Sequence, residues 1–144
     1  MIKIPYYETS NTVFSNFSPH TVEYKGVNYM TSEHAFHAAK FADQKIIDEI
    51  IAARSPVEAF QLGKKYKAVR RSDWNEIKIG VMREILAAKL AQHTEVREAL
   101  LATEDEEIIE DSPVDAFWGN APDGTGQNHV GKIWMQLRSE LIRS

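Results

Sequence analysis

Between Tyr29 and Phe41 the chain reads YMTSEHAFHAAKF. With Thr31 or Ser32 as its cap, this segment predicts a helix running to about Ala42. Most of its circumference is Ala35, Ala38, Ala39, Phe41 and Ala42, with His34 as the polar exception. Such a helix must be covered on most sides, and its alanines let neighbours approach closely. The rest of the chain therefore has to pack around it. At about 100° per residue, Glu33, His37 and Lys40 fall within roughly 60° of one another, beside Phe36. That narrow polar stripe reads either as a solvated ladder or as the lining of a site, and periodicity alone does not choose.

The segments around it are short strands and capped helices. TVFSNF reads as a strand ahead of a Ser-Pro turn, and TVEY and VNYM flank Lys25-Gly26 as a two-residue hairpin. Ser55-Pro56-Val57-Glu58 is a capping box with proline at the first helical position, and Gly63 is a natural stop. Ser72 can cap a longer helix on which Trp74, Ile77, Val81, Ile85 and Ala88 recur at helical steps. Thr94 opens a shorter helix through Leu101, and Ile108 with Ile109 forms one short strand. PDGTGQN is turn chemistry throughout. Asn128 then caps a last helix whose Ile133, Trp134, Leu137 and Leu141 form a core-facing stripe. The expectation is a mainly helical α+β fold with a small antiparallel sheet, residues 1–144 forming a single domain.

Composition narrows the chemistry. With no cysteine, disulfides, thiolate metal sites and thiol nucleophiles are excluded. MIKIPYY offers neither an apolar run nor a cleavage site, and no stretch reaches membrane-span length. A cytoplasmic location without a membrane partner is expected. The net charge of -4 argues against broad attraction to nucleic acid. Its distribution is uneven: Lys64, Lys65, Lys67, Arg70 and Arg71 cluster, while Glu104 to Asp111 is acidic. The acidic run reads as a solvated face, and the basic one reads equally as a phosphate site. His34 and His37 lack the further clustered ligands a metal needs, so no metal or other cofactor is expected.

Larger motifs carry a resemblance. FSNF (Phe14 to Phe17) and YKGVNYMTSEHAFHAAKF are followed by LGKKYKAVRRSDWNEIKIGVMREILAAKL, then ALLAT, DAFWG and GTGQNHVGKIWMQLRSEL. In that order, from Val13 to Leu141, they resemble the NADAR family, also called YbiA-like. The resemblance implies an N-glycosidase acting on riboflavin-pathway intermediates or on ADP-ribose conjugates, and the family's helical α+β fold. It implies catalytic roles for Glu33, Lys40 and Asp115. It also implies substrate contacts from Asn16, Trp74 and Trp118, and Phe17, His37, Lys64, Arg71, Gly119 and Asn128 are expected to join them. Lys64 stands where the family usually has arginine, so a two-pronged phosphate grip is lost there, and Arg70 or Arg71 are the substitutes.

These residue types suit cleavage of a ribosyl C–N bond. The oxocarbenium-like state wants a fixed carboxylate, for which Glu33 and Asp115 both qualify. Lys40 offers a second route, trapping the opened sugar as a Schiff base if burial lowers its pKa. Trp118 is the natural stacking platform for a flat leaving group; Trp74 is divided between core and site, and Trp134 is core. The amides around Gly124, Gly126 and Asn128 are a further phosphate candidate. The expected partner is a phosphorylated ribosylamine or an ADP-ribose conjugate, including a modified guanine in single-stranded nucleic acid. A module that binds an ADP-ribose-like ligand without turnover is the rival from another class.

Overall fold

The computed structural model describes residues 1–6 and 12–144. Strand β1 (Ile2–Pro5) opens the chain, and β2 (Val22–Tyr24) and β3 (Val27–Tyr29) form the hairpin. Four helices follow: α1 (Ser32–Ala38), α2 (Gln44–Ala52), α3 (Pro56–Lys65) and α4 (Trp74–Gln92). A 3-10 turn, Lys67–Val69, joins the last two. Then come α5 (Thr94–Ala102), β4 (Ile108–Asp111) and α6 (His129–Arg143). No helix among the described residues is long and apolar enough to cross a membrane.

The hairpin is antiparallel and turns at Lys25 and Gly26, both at positive φ, so Gly26 serves where a side chain would be strained. The second strand pair is parallel, Ile4 lying beside Glu110, and was not anticipated. TVFSNF is no strand. Residues 12–20 are consecutive turns, with Ser15 N–H on Thr12 and Ser18 N–H on Ser15. Side chains hold this loop instead. Trp134 Nε1 donates to Phe14 O at 3.1 Å, and the fully buried Lys89 donates to Ser15 O at 2.9 Å and Ser18 Oγ at 2.7 Å.

Helix α1 is central, packing against α2, α3, α4 and the hairpin, and every one of its residues is buried. Thr31 Oγ1 caps it by accepting His34 N–H. It stops at Ala38 rather than Ala42. Lys40 and Phe41 N–H reach back only three residues, and Asp43 already caps α2. Ser55 Oγ caps α3 through Glu58 N–H, but Glu58 returns its carboxylate to Arg54 N–H, one residue before the usual box partner. Helix α3 runs through Gly63, and α4 begins at Trp74 without a side-chain cap, because Arg71 holds the Asp73 carboxylate.

Candidate active site

Glu33 and His37 stand one turn apart on α1, and His37 Nε2–H donates to Glu33 Oε2 at 3.0 Å in a buried pair. Glu33 is fixed from below as well. Its own N–H, free at the helix start, donates to Asn16 O at 3.1 Å. The Asn16 side chain accepts Ser32 Oγ–H at 2.8 Å and donates to Met82 Sδ at 3.6 Å. Asn16 thus anchors the first turn of α1 to the turn segment that Lys89 and Trp134 hold. His34, on the far side, is a pin: its Nε2–H donates to Ala53 O at 3.0 Å, tying α1 to the end of α2. Burial lowers its pKa, so it stays neutral.

Lys40 follows the helix. Its ammonium lies 5.3 Å from the Phe36 ring centre and 6.0 Å from that of Trp74. Burial pushes its pKa down to about 8; the Glu33 charge works against the shift, and Arg70, Lys67 and Lys78 add to it. A lysine in this state supplies a neutral amine near neutral pH.

A cavity of about 370 Å3 opens above this helix face. Glu33, Phe36, His37 and Lys40 line it from α1, and Ser15, Asn16 and Phe17 from the turn segment. The tip of β1, α3, β4 and the loop after β4 complete it with Tyr6, Phe60, Glu110, Asp115 and Trp118. The Trp118 ring meets Phe36 edge-on at 5.3 Å and Phe117 at 4.7 Å. Asp115 sets that loop: its Oδ1 accepts Phe117 N–H at 3.0 Å and Trp118 N–H at 2.8 Å.

The remaining expected contacts lie outside the cavity lining. Trp74 is buried beneath Lys40 and against Phe36, at 5.2 Å. Lys64 is exposed on α3, and Arg71 is paired with Asp73 and lines a different groove beside Tyr24 and Glu84. The cations whose charge reaches Lys40 are Lys67, Arg70 and Lys78. Gly119 is packed so closely on the Glu110 and Asp115 carbonyls that a side chain would collide. Asn128 occupies the cap position of α6 at positive φ without capping it; its side chain accepts Glu110 N–H and donates to Ile108 O, both at 2.9 Å. The amides of Gly124, Gly126 and Asn128 already donate to Asn120 and Gly119 carbonyls, which leaves no nest for phosphate.

Comparison with known proteins follows the same outline. A family model described as the NADAR domain matches residues 5–142. The chain belongs to the NADAR family. It is 39% identical over 140 residues to the N-glycosidase YbiA of Escherichia coli, covering 96% of this chain and 88% of that one. An N-glycosidase of Nostoc punctiforme is 42% identical over 131 residues, covering 89% and 84%. A riboflavin biosynthesis protein of Vibrio vulnificus is 39% identical over 127 residues, 88% of this chain but 35% of the relative. The NMR structure of E. coli YbiA superposes with a TM-score of 0.86 at 37% identity, over 99% of this chain and 86% of that one. The near-full-length homologues are N-glycosidases by name, hydrolases that act on N-glycosyl bonds.

This NADAR chain also shows a residue that the sequence reading passed over. Glu110 sits in the acidic run taken for a solvated face, yet it lines the cavity while Glu104 to Glu107 are exposed. Burial raises its pKa to about 8, helped by the charges of Asp115 and Glu33. The signal was present. On a strand, Glu110 shares a face with Ile108, two residues earlier, and Ile108 is core. Tyr6 joins the same corner, its pKa raised by burial and then by Asp115, Glu110 and Glu33.

Proposed function

We propose that the cavity hydrolyses the bond between a ribose anomeric carbon and the exocyclic amine of a phosphorylated ribosylamino-heterocycle, the class that includes riboflavin-pathway intermediates. One observation carries this reading: a lysine held near pKa 8 stands in an aromatic-walled cavity beside a histidine-braced glutamate. The nitrogen lone pair of such a substrate opens the sugar ring, leaving an electrophilic carbon–nitrogen double bond at C1. The neutral Lys40 amine adds to C1, and departure of the heterocyclic amine leaves the sugar as an imine of Lys40. Water adds to that imine, and ribose 5-phosphate is released as Lys40 is regenerated. Glu33, held in place by His37 and Asn16, opposes the positive charge at C1 and orients the water.

The cavity divides the substrate. Trp118 and Phe60 offer flat surfaces to the heterocycle. Lys67, Arg70 and Lys78 supply positive charge on the Lys40 side, where the phosphate would lie. At about 370 Å3 the cavity is at the small end of ligand sites, roughly 300–1,000 Å3, which suits one ribosyl-heterocycle better than a whole dinucleotide.

The test is a product assay in EDTA on two substrates in parallel, a ribosylamino-pyrimidine phosphate and an oligonucleotide carrying ADP-ribosylated guanine. The expected result is ribose 5-phosphate from the first, lost in Glu33→Gln while ligand affinity remains. Turnover of the second alone assigns the enzyme to removing ADP-ribose from guanine. Turnover of neither, with tight ADP-ribose binding, makes the protein a reader.

A further inference from the structure

Breaking a bond from C1 to an amine requires a proton for the departing nitrogen, because an amide-like anion is a very poor leaving group. Among the described residues three carboxyl groups line the cavity, those of Glu33, Glu110 and Asp115, and their partners differ. Glu33 accepts a hydrogen bond from His37, and Asp115 accepts two from backbone amides. Among the described residues, the Glu110 carboxyl has neither a hydrogen-bond donor nor a cation paired with it.

The Glu110 backbone, by contrast, is held on both sides. Its N–H donates to Asn128 Oδ1 at 2.9 Å, and its carbonyl accepts Asn120 N–H at 3.1 Å. Parallel pairing sets it beside Ile4, just before the Pro5–Tyr6 tip that lines the same cavity. A carboxyl carried on a backbone so held, lining the cavity with no donor of its own, buried and subject to the charges of Asp115 and Glu33, keeps its proton. Tyr6 adds no positive charge there, and among the described lining residues Lys40 is the sole lysine or arginine.

From this placement we infer that Glu110 is the general acid of the reaction, a proposal that rests on the N-glycosidase reading above. As the C1–N bond breaks, the bonding pair leaves with nitrogen, and the Glu110 carboxyl proton goes to that nitrogen. The heterocycle departs as a neutral amine while Lys40 holds C1 as the imine. Water then adds to C1, its oxygen forming the new bond and its surplus proton returning to the Glu110 carboxylate. The residue ends the cycle protonated, as it began.

The substitution that isolates this role is Glu110→Gln, which keeps the shape and cannot donate an acidic proton. On a ribosylamine with a strongly basic leaving amine, kcat is expected to fall by roughly 100-fold or more, the usual scale of a lost general acid. On one whose leaving amine carries electron-withdrawing groups, the loss should shrink to below about tenfold, because that nitrogen departs without help. An equal loss on both substrates, or none, overturns the assignment. A second measurement does not depend on the variant folding. Carbon-13 NMR of the wild-type protein with labelled glutamate should show the backbone-assigned Glu110 carboxyl still protonated at neutral pH, and an ionised Glu110 there overturns it too. If the wild type turns over no ribosylamine at all, the underlying reading fails, and this inference falls with it.

Discussion

Gly63 packs against the ring of His37 so tightly that a Cβ at position 63 would lie closer than 3.0 Å to Nδ1. Two helices meet there, α3 supplying the missing side chain and α1 the imidazole. His37 Nδ1 is buried without a hydrogen-bond partner, so contact with Gly63, Phe36 and Phe60 is what orients the ring toward Glu33.

Gly63→Ala therefore tests positioning. Alanine favours a helix over glycine by about 1 kcal/mol, which offsets part of the cost of crowding. Stability should change little, while kcat falls by about tenfold as His37 is displaced and Glu33 loses its brace. Unfolding curves and steady-state kinetics on one preparation separate the two effects.

Lys40 carries a more direct test. Borohydride added during turnover should fix the sugar onto Lys40, found by mass spectrometry on the peptide that contains it, and Lys40→Met should abolish both labelling and turnover. Because the pKa is about 8, the trapping rate should rise with pH up to that value as the amine loses its proton. Above about 8 the rate should level off, and a rate that keeps climbing toward pH 10 would refute the lowered pKa.

Asp115→Asn separates charge from architecture. Asparagine keeps the side-chain oxygen that accepts the Phe117 and Trp118 amides, so the loop and its tryptophan should stay in place. If the Asp115 charge serves only the loop, kcat/KM stays within about threefold of wild type; a fall of about 100-fold gives it a part in the chemistry.

Lys89 gives stability a pH signature. Burial holds its folded pKa at about 7, below the ordinary 10.5, with only Glu95 opposing. The unfolded chain therefore binds more protons than the folded one between those values, and stability rises with pH across that window. Lys40 tilts the curve the same way above about 8. Glu110 contributes in the opposite sense: its stabilisation is complete below about 4.5 and lost as pH rises through about 8. Lys89→Met should flatten the alkaline rise without removing it, as read from urea midpoints. It should also loosen the turn that presents Asn16 and Phe17, because Ser15 O and Ser18 Oγ lose their donor.

Local signals were legible in the sequence, and long-range pairings were not. Caps at Thr31 and Ser55, the Lys25-Gly26 hairpin and the stripe on α6 follow from short-range rules, and the structure contains all of them. TVFSNF reads as a strand ahead of a Ser-Pro turn, yet it is held as turns by Lys89, Trp134 and Ser32, residues far away in sequence whose hydrogen bonds no local pattern records. The same limit applies to Lys64 and Arg71, which lie outside the cavity lining. A run of lysine and arginine marks a charged stretch but not the direction each side chain takes, and Arg71 turns to Asp73. Glu33, His37 and Lys40 were readable because one helical face carries the first two and a tight turn keeps the third beside them.

The parallel pairing of β1 with β4 has a consequence for the order of assembly. Contacts this distant in sequence form late, since a long loop must close before they stabilise anything. On a ribosome, α1 and its Glu33–His37–Lys40 face can dock onto α2 to α4 while β4 is still unmade. Only when residues 108–111 emerge can the first strand find its place and bring Tyr6 and Glu110 to the cavity. A nascent chain would thus pack Glu33, His37 and Lys40 together before Tyr6 and Glu110 join them, so the two halves of the cavity wall are built at different times.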